Sequence, residues 1–220
     1  MVSHPATFGP GVLSAIRRSL DPDTRMVLDP FAGVGGIHDL GRRPDDTMYR
    51  TYGVEIEPEW ANAHWRNLCR DARSLPEDWT DLFDAIATSP AYGNRMADSY
   101  DGRDGSRRHT YRMSLDRPLT EGNGAGLQWG QAYRDLHCAV YHECWRVLRP
   151  GGLFVLNMKD HIRAGRRQFV TAWHVSALRE IGFVYLGRER VLCPGMRHGA
   201  NHALRIGYEV VARLRKLDGA

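Results

Sequence analysis

Apolar side chains recur along this chain with two alternating periods. Val12, Leu13, Ala15 and Ile16 stand at helical spacing and the pattern stops at Asp21-Pro22, which predicts a helix over about 10–20. A short unbroken run, Arg25-Met26-Val27-Leu28, then ends at Asp29-Pro30 and is followed by Ala32-Gly33-Val34-Gly35-Gly36, the pattern of strand, glycine turn and helix. Tyr52-Gly53-Val54-Glu55-Ile56-Glu57 predicts a second strand ending in acid, and Pro58 at a first turn opens a helix to about Cys69. Leu82-Phe83-Asp84-Ala85-Ile86-Ala87 reads as a buried strand. Farther on, Leu136, Val140, Cys144 and Val147 share one face of a helix over about 127–148, ended by Arg149-Pro150-Gly151-Gly152. Another buried strand, Leu153 to Met158, precedes a helix over about 170–181 that closes at Gly182. Phe183-Val184-Tyr185-Leu186 and Ile206 to Val211 read as the last two strands.

Strands alternating with helices predict an α/β domain with a mostly parallel sheet covered on both faces. The final two strands have no helix between them, so they form an antiparallel pair at one edge. One stretch breaks the pattern: residues from Asn94 to Gly126 are rich in Gly, Arg, Asp and Ser with little apolar periodicity, an inserted basic loop too long to be a simple connection. With 220 residues and no linker or internal repeat, a single domain over 1–220 is expected.

Net charge, +4, is modest, but arginine is clustered. Arg103, Arg107, Arg108, Arg112 and Arg117 form one group, and Arg163, Arg166 and Arg167 a second, an arrangement suited to phosphate. Cys69, Cys138, Cys144 and Cys193 include no C-x-x-C pair, so free thiols in a reducing compartment are expected. No apolar stretch is long enough to span a membrane, and the start, Met1-Val2-Ser3-His4-Pro5, has no basic region leading into an apolar core, so a cytoplasmic protein is expected. Cys138 and His142 stand at i, i+4, yet these residues and their neighbours wind around the helix, which favours packing and no metal site.

The sharpest local signal is Thr88-Ser89-Pro90-Ala91-Tyr92-Gly93-Asn94-Arg95-Met96, directly after a buried strand. A serine oxygen and the Pro90 carbonyl can accept the two N–H bonds of an exocyclic amine while Tyr92 covers the ring. Upstream, Asp29-Pro30-Phe31-Ala32-Gly33-Val34-Gly35 occupies the first strand-to-helix turn, where glycines let a ligand approach the backbone. Its spacing does not fit G-x-G-x-x-G. Glu55, about 20 residues on, stands where an acid binds both hydroxyls of a ribose.

With these motifs in this order, the chain resembles the class I S-adenosylmethionine-dependent methyltransferases, and among them the DNA amino-methyltransferases. The resemblance implies a Rossmann-like, doubly wound, mostly parallel seven-stranded sheet. It assigns the methionine end of S-adenosylmethionine to the Asp29, Phe31, Gly33, Gly35 turn, the ribose to Glu55, and the adenine amine to Asp71. His4, Pro5 and Phe8 match an extra N-terminal motif near the methionine end, and Ser89, Pro90 and Tyr92 match three of four places in the motif that binds the target base. Ala91 replaces that motif's second proline. The serine form leans toward cytosine N4 and the aspartate form toward adenine N6. The matches cover about the first 95 residues and extend toward 160.

An aromatic amine is a poor nucleophile because its lone pair is delocalised. Two acceptors would make the nitrogen more tetrahedral and aim the lone pair at the methyl group. In duplex DNA the base must first leave the helix. The chain has no room for a separate recognition domain, so DNA contacts fall to the basic segments, with Asn94, Arg95, Arg107, Arg108, Arg112, Arg166, Arg167, Arg197 and His198 as candidates. Asn157 and Asp160 end a strand beside the site, either positioning substrate or capping the next turn. RNA is the alternative polymer, and a catalytically weak nucleic-acid-binding subunit the alternative role.

Overall fold

Runs with scarcely a polar position form the middle of the sheet, because a strand between two helical layers is apolar on both faces. The computed structural model describes residues 4–94, 111–193 and 202–217, apart from the side chains of Arg112 and His202. Its strands are β1 (Met26–Asp29), β2 (Arg50–Glu55), β3 (Asn67–Cys69), β4 (Phe83–Thr88), β5 (Leu148–Met158), β6 (His161–Arg163), β7 (Arg166–Gln168), β8 (Val184–Leu192) and β9 (Tyr208–Arg215). The helices are α1 (Pro10–Ser19), α2 (Pro58–Ala61), α3 (Tyr111–Leu115), α4 (Gln131–Val147) and α5 (Val170–Ile181).

Seven strands make one sheet in the order β3-β2-β1-β4-β5-β9-β8. β1 to β5 are mutually parallel, and β9 runs antiparallel to both its neighbours. The expected antiparallel pair therefore closes one side, with β8 at the edge and β9 one place in. Neighbouring residues serve opposite faces: Val27, Ala85 and Val155 pack with Val12 and Ile16 of α1, while Leu28, Ile86 and Phe154 pack with Val140 and Cys144 of α4 and Leu178 of α5. β6 and β7 form a separate hairpin just beyond β5.

Two predicted helices are corrected. The glycine turn leads only into a short 3-10 turn, Gly36–Leu40, because Arg42 to Asp46 holds a proline and two aspartates and has no apolar stripe to bury. The helix expected to about Cys69 stops at Ala61, and Asn67–Cys69 pairs with β2 instead. Trp65 is 82% exposed and Leu68 36%, so nothing on that stretch would hold a longer helix against the core. The 94–126 loop contains α3 and a 3-10 turn, Gly124–Gly126, within its described part. Gly53 of β2 lets the turn after β1 lie close, since a Cβ there would stand 2.7 Å from Ala32 Cβ and 2.0 Å from Asn67 Oδ1.

Candidate active site

The chain leaves β1 toward one side of the sheet and β4 toward the other, which opens a crevice at the carboxyl ends of these two neighbours. Asp29 and Thr88, the last residues of the two strands, join across it: Thr88 Oγ1 donates to Asp29 Oδ1 at 2.6 Å, and Phe31 N donates to the same oxygen at 2.9 Å. Burial raises the Asp29 carboxyl to about 7 against the pull of these donors. Asp29 thus joins the loops that follow β1 and β4 through one carboxylate oxygen.

Gly33, at φ +54°, presses against the His4 ring, whose Nε2 would lie 3.0 Å from a Cβ at that position. His4 in turn stands edge-on to Trp60, ring centroids 4.4 Å apart, and Phe8 lies over Gly36. Half-buried Pro5 connects them. His4 and Phe8 therefore pack on the glycine turn, Gly33 to Gly36. Asn67 Nδ2 donates to the Gly33 carbonyl at 3.1 Å, and His38 bridges Asn67 and Thr51, bracing the turn from beneath.

Glu55, almost fully buried, accepts from Gly33 N and from Glu57 N, both at 2.9 Å. Burial again dominates and raises it to about 7. Beside it lies an open cleft walled by Phe31, Ile56, Ala72 and Leu136 and by the segment Gly122 to Gly124. Asp71 also lines it, but its carboxylate is held by Arg73, whose Nη2 donates at 2.5 Å. The expected adenine acceptor is already partnered. His137 stacks on Phe31, centroids 5.4 Å apart, and its Nδ1 bonds the Tyr133 carbonyl at 2.7 Å. That makes Nδ1 the protonated nitrogen and leaves buried Nε2 an acceptor with no partner among the described residues.

The motif after β4 is held from three sides. Ser89 Oγ and Tyr92 Oη lie 3.2 Å apart, and Asn157 Nδ2 donates toward both, at 3.1 and 3.2 Å. The same amide nitrogen donates to Glu209 Oε2 at 2.8 Å. Burial, then the nearby Glu209 carboxylate, keeps the Tyr92 phenol protonated. Pro90 is buried, and the Ala91 carbonyl accepts from Tyr133 Oη at 2.6 Å. Tyr133 Oη lies 2.9 Å from His174 Nε2, and His174 Nδ1 lies 2.6 Å from Tyr141 Oη. Since Tyr133 gives its proton to Ala91, His174 must donate through Nε2 and accept from Tyr141, so the imidazole is neutral. Burial pushes its pKa far down, in agreement. These bonds pin the Ala91 carbonyl to α4 and α5. His174→Phe, which leaves Tyr141 without an acceptor and Tyr133 without a donor, is expected to cost about 2–4 kcal/mol in urea unfolding.

Two arginines of the clusters suited to phosphate are engaged within the chain. Arg117 Nη2 pairs with Glu57 at 2.7 Å and with Glu59 at 2.5 Å, and Arg167 pairs with Asp160 at 2.8 Å. Asp160 also accepts from Thr171 N, so it caps α5. Arg166 and Asn94 are exposed. Arg95, Arg107, Arg108, Arg197 and His198, with Arg103, lie outside the described residues, as does the side chain of Arg112. Glu57, Glu209 and the Tyr133–His174–Tyr141 chain were not picked out from sequence. One sign was present: Glu57 precedes Pro58 at a helix start, where glutamate is a poor cap, and its side chain makes no cap bond. Among the described residues no group of three or more metal-type ligands forms, and no helix is long and apolar enough to cross a membrane.

No sequence family and no curated protein matches the chain. Solved structures do. A Methanosarcina mazei S-adenosylmethionine-dependent methyltransferase is 14% identical over 96% of this chain and 99% of its own, with a TM-score of 0.55. The Burkholderia thailandensis 1,6-didemethyltoxoflavin-N1-methyltransferase, solved with 1,6-didemethyltoxoflavin and S-adenosylhomocysteine, is 17% identical over 95% of this chain and 79% of its own, at 0.54. The N-methyltransferase NodS from Bradyrhizobium japonicum is 12% identical over 94% and 93%, at 0.51. At such identities the likeness is one of architecture, and the chain has the class I Rossmann-like fold that these methyltransferases share.

Proposed function

We propose that the protein transfers a methyl group from S-adenosylmethionine to an exocyclic amine of a DNA base, cytosine N4 or adenine N6. The observation that carries this reading is the placement of Ser89-Pro90-Ala91-Tyr92 at the end of β4, one strand from the glycine turn of β1, with both hydroxyls held by Asn157.

The chemistry of the cleft lining suits the cofactor. Glu55 is a buried carboxylate with one backbone donor on each oxygen, so lone pairs remain for two ribose hydroxyls. Phe31, Ile56 and Leu136 offer apolar faces to a purine. When bound, S-adenosylmethionine supplies an electrophilic methyl group on a sulfonium.

Hydrogen counting supports the base edge. Asn157 Nδ2 has two protons and Glu209 takes one. The other is shared by Ser89 and Tyr92, which also bond each other. Among the described residues one hydroxyl proton is therefore left to donate into the site. Cytosine and adenine both present an amine beside a ring nitrogen acceptor, whereas the guanine amine adjoins a ring N–H on its Watson–Crick edge. With Tyr92 stacked on the base and donating to Ser89, the spare proton is that of the Ser89 hydroxyl, which suits the ring nitrogen, and the Pro90 carbonyl suits the amine. The departing proton needs no strong base, because the methylated ammonium is acidic enough to lose it to water.

The test is labelled S-adenosylmethionine incubated with duplex DNA, RNA or neither. Label in DNA is expected. Label confined to RNA moves the substrate to that polymer, and no label despite cofactor binding makes the protein a non-catalytic subunit.

A further inference from the structure

We propose that Glu57 is a positioning residue for the nucleoside half of the cofactor, holding residues 117–124 in place as the outer wall of the cleft. This rests on reading the cleft as the S-adenosylmethionine site.

Glu57 is fully buried, two residues beyond Glu55. Oε1 accepts from Thr120 N at 2.8 Å and Asn123 Nδ2 at 2.6 Å, and Oε2 from Thr120 Oγ1 at 2.9 Å and Arg117 Nη2 at 2.7 Å. All four donors come from one short segment more than 60 positions away in sequence for three of them. Asn123 carries the constraint onward, since its Oδ1 accepts from Ala125 N at 2.9 Å and starts the Gly124–Gly126 turn. Gly122, Asn123 and Gly124 then face the same cleft as Glu55 and Ile56.

The main chain of the same residue serves the other side: Glu57 N donates to Glu55 Oε1. One residue thus fixes the orientation of the ribose acid through its backbone and the opposing wall through its side chain. Burying a carboxylate is costly unless its lone pairs are filled, so the segment and the carboxylate hold each other in place. A purine entering the cleft meets a wall that is already ordered and pays less to order it.

The experiment compares wild type, Glu57→Gln, Glu57→Ala and Asn123→Ala by hydrogen exchange without ligand and by calorimetric titration with S-adenosylhomocysteine and with adenosine. Faster exchange across 117–126 is expected in each variant, with unchanged protection in β4 and α4. Affinity for both ligands should fall by about 10- to 100-fold in Glu57→Ala, and by less in Glu57→Gln, whose amide oxygen still accepts from Thr120 or Asn123. Exposure of 117–126 with unchanged affinity would overturn the proposal, as would undisturbed exchange. If Glu57→Ala loses core protection, Asn123→Ala decides alone, because it removes one donor and leaves the carboxylate paired. A wild type that binds neither ligand would instead remove the cofactor reading on which the proposal stands.

Discussion

Glu55→Gln is expected to weaken S-adenosylhomocysteine binding by roughly 100-fold while raising the melting temperature of the ligand-free protein at pH 8. The binding loss follows from two ribose hydroxyls donating to a carboxylate; charge-assisted bonds are worth about 1.5–3 kcal/mol each, and the amide keeps only part of that. The stability gain follows from burial. Raising the Glu55 carboxyl from 4.5 to about 7 corresponds to roughly 3 kcal/mol for holding the charge in place. Glutamine removes that charge and gives up one of two backbone bonds, about 1 kcal/mol. Stability and binding therefore move in opposite directions, the mark of a site residue and not of a structural one.

The same groups set the pH profile of the free protein. Glu55 and Asp29 have folded-state values of about 7, above their unfolded values, so the folded state holds more protons between about pH 4 and 7. Their contribution is greatest at low pH and is lost as pH rises through 7. Histidines act the other way: burial lowers His38 and His137 to about 4 and His174 further, so the unfolded state holds more protons below 6.5. Their contribution is lost on acidification. Melting temperature should peak between about pH 6 and 7 and decline on both sides, and saturating S-adenosylhomocysteine should flatten the alkaline decline. A profile still rising at pH 9 would contradict these assignments.

Tyr92→Ala should lower methyl transfer at saturating cofactor by about 10²- to 10³-fold and leave S-adenosylhomocysteine affinity within about twofold. A base stacked on an aromatic ring gains about 1–3 kcal/mol, and an amine misplaced by an ångström loses a further factor through orientation. Tyr92→Phe separates the two contributions. It keeps the ring and removes one hydroxyl from the Ser89–Asn157 group, so a loss of about tenfold is expected, carried by kcat. Parallel losses of cofactor affinity and transfer would show instead that Tyr92 supports the fold, as its buried hydroxyl alone could suggest.

The sheet was legible wherever burial was two-sided. β1, β4 and β5 are apolar on both faces and so stand out as unbroken runs, and α4 shows a stripe because only one of its faces is covered. β3 has three residues, and Leu68 at its centre is partly exposed, so neither period marks it. The glycine turn, Glu55 and Ser89-Pro90-Ala91-Tyr92 were visible because each is a local pattern. Glu57 was not, since its meaning lies in Thr120 and Asn123 across a long stretch of chain, and the same holds for Glu209, whose partner Asn157 lies 52 positions away. Arg117 belongs to a cluster that composition alone suits to phosphate, and the two carboxylates beside it come from a distant part of the chain.

The central claim concerns the atom that receives the methyl group. DNA treated with the protein and S-adenosylmethionine, digested to nucleosides and resolved by fragmentation mass spectrometry, should carry the methyl on an exocyclic nitrogen, as N4-methylcytosine or N6-methyladenine, and Ser89→Ala with Asn157→Ala should abolish it. A methyl group on ring carbon or ring nitrogen, or none on any nucleoside, would contradict the account.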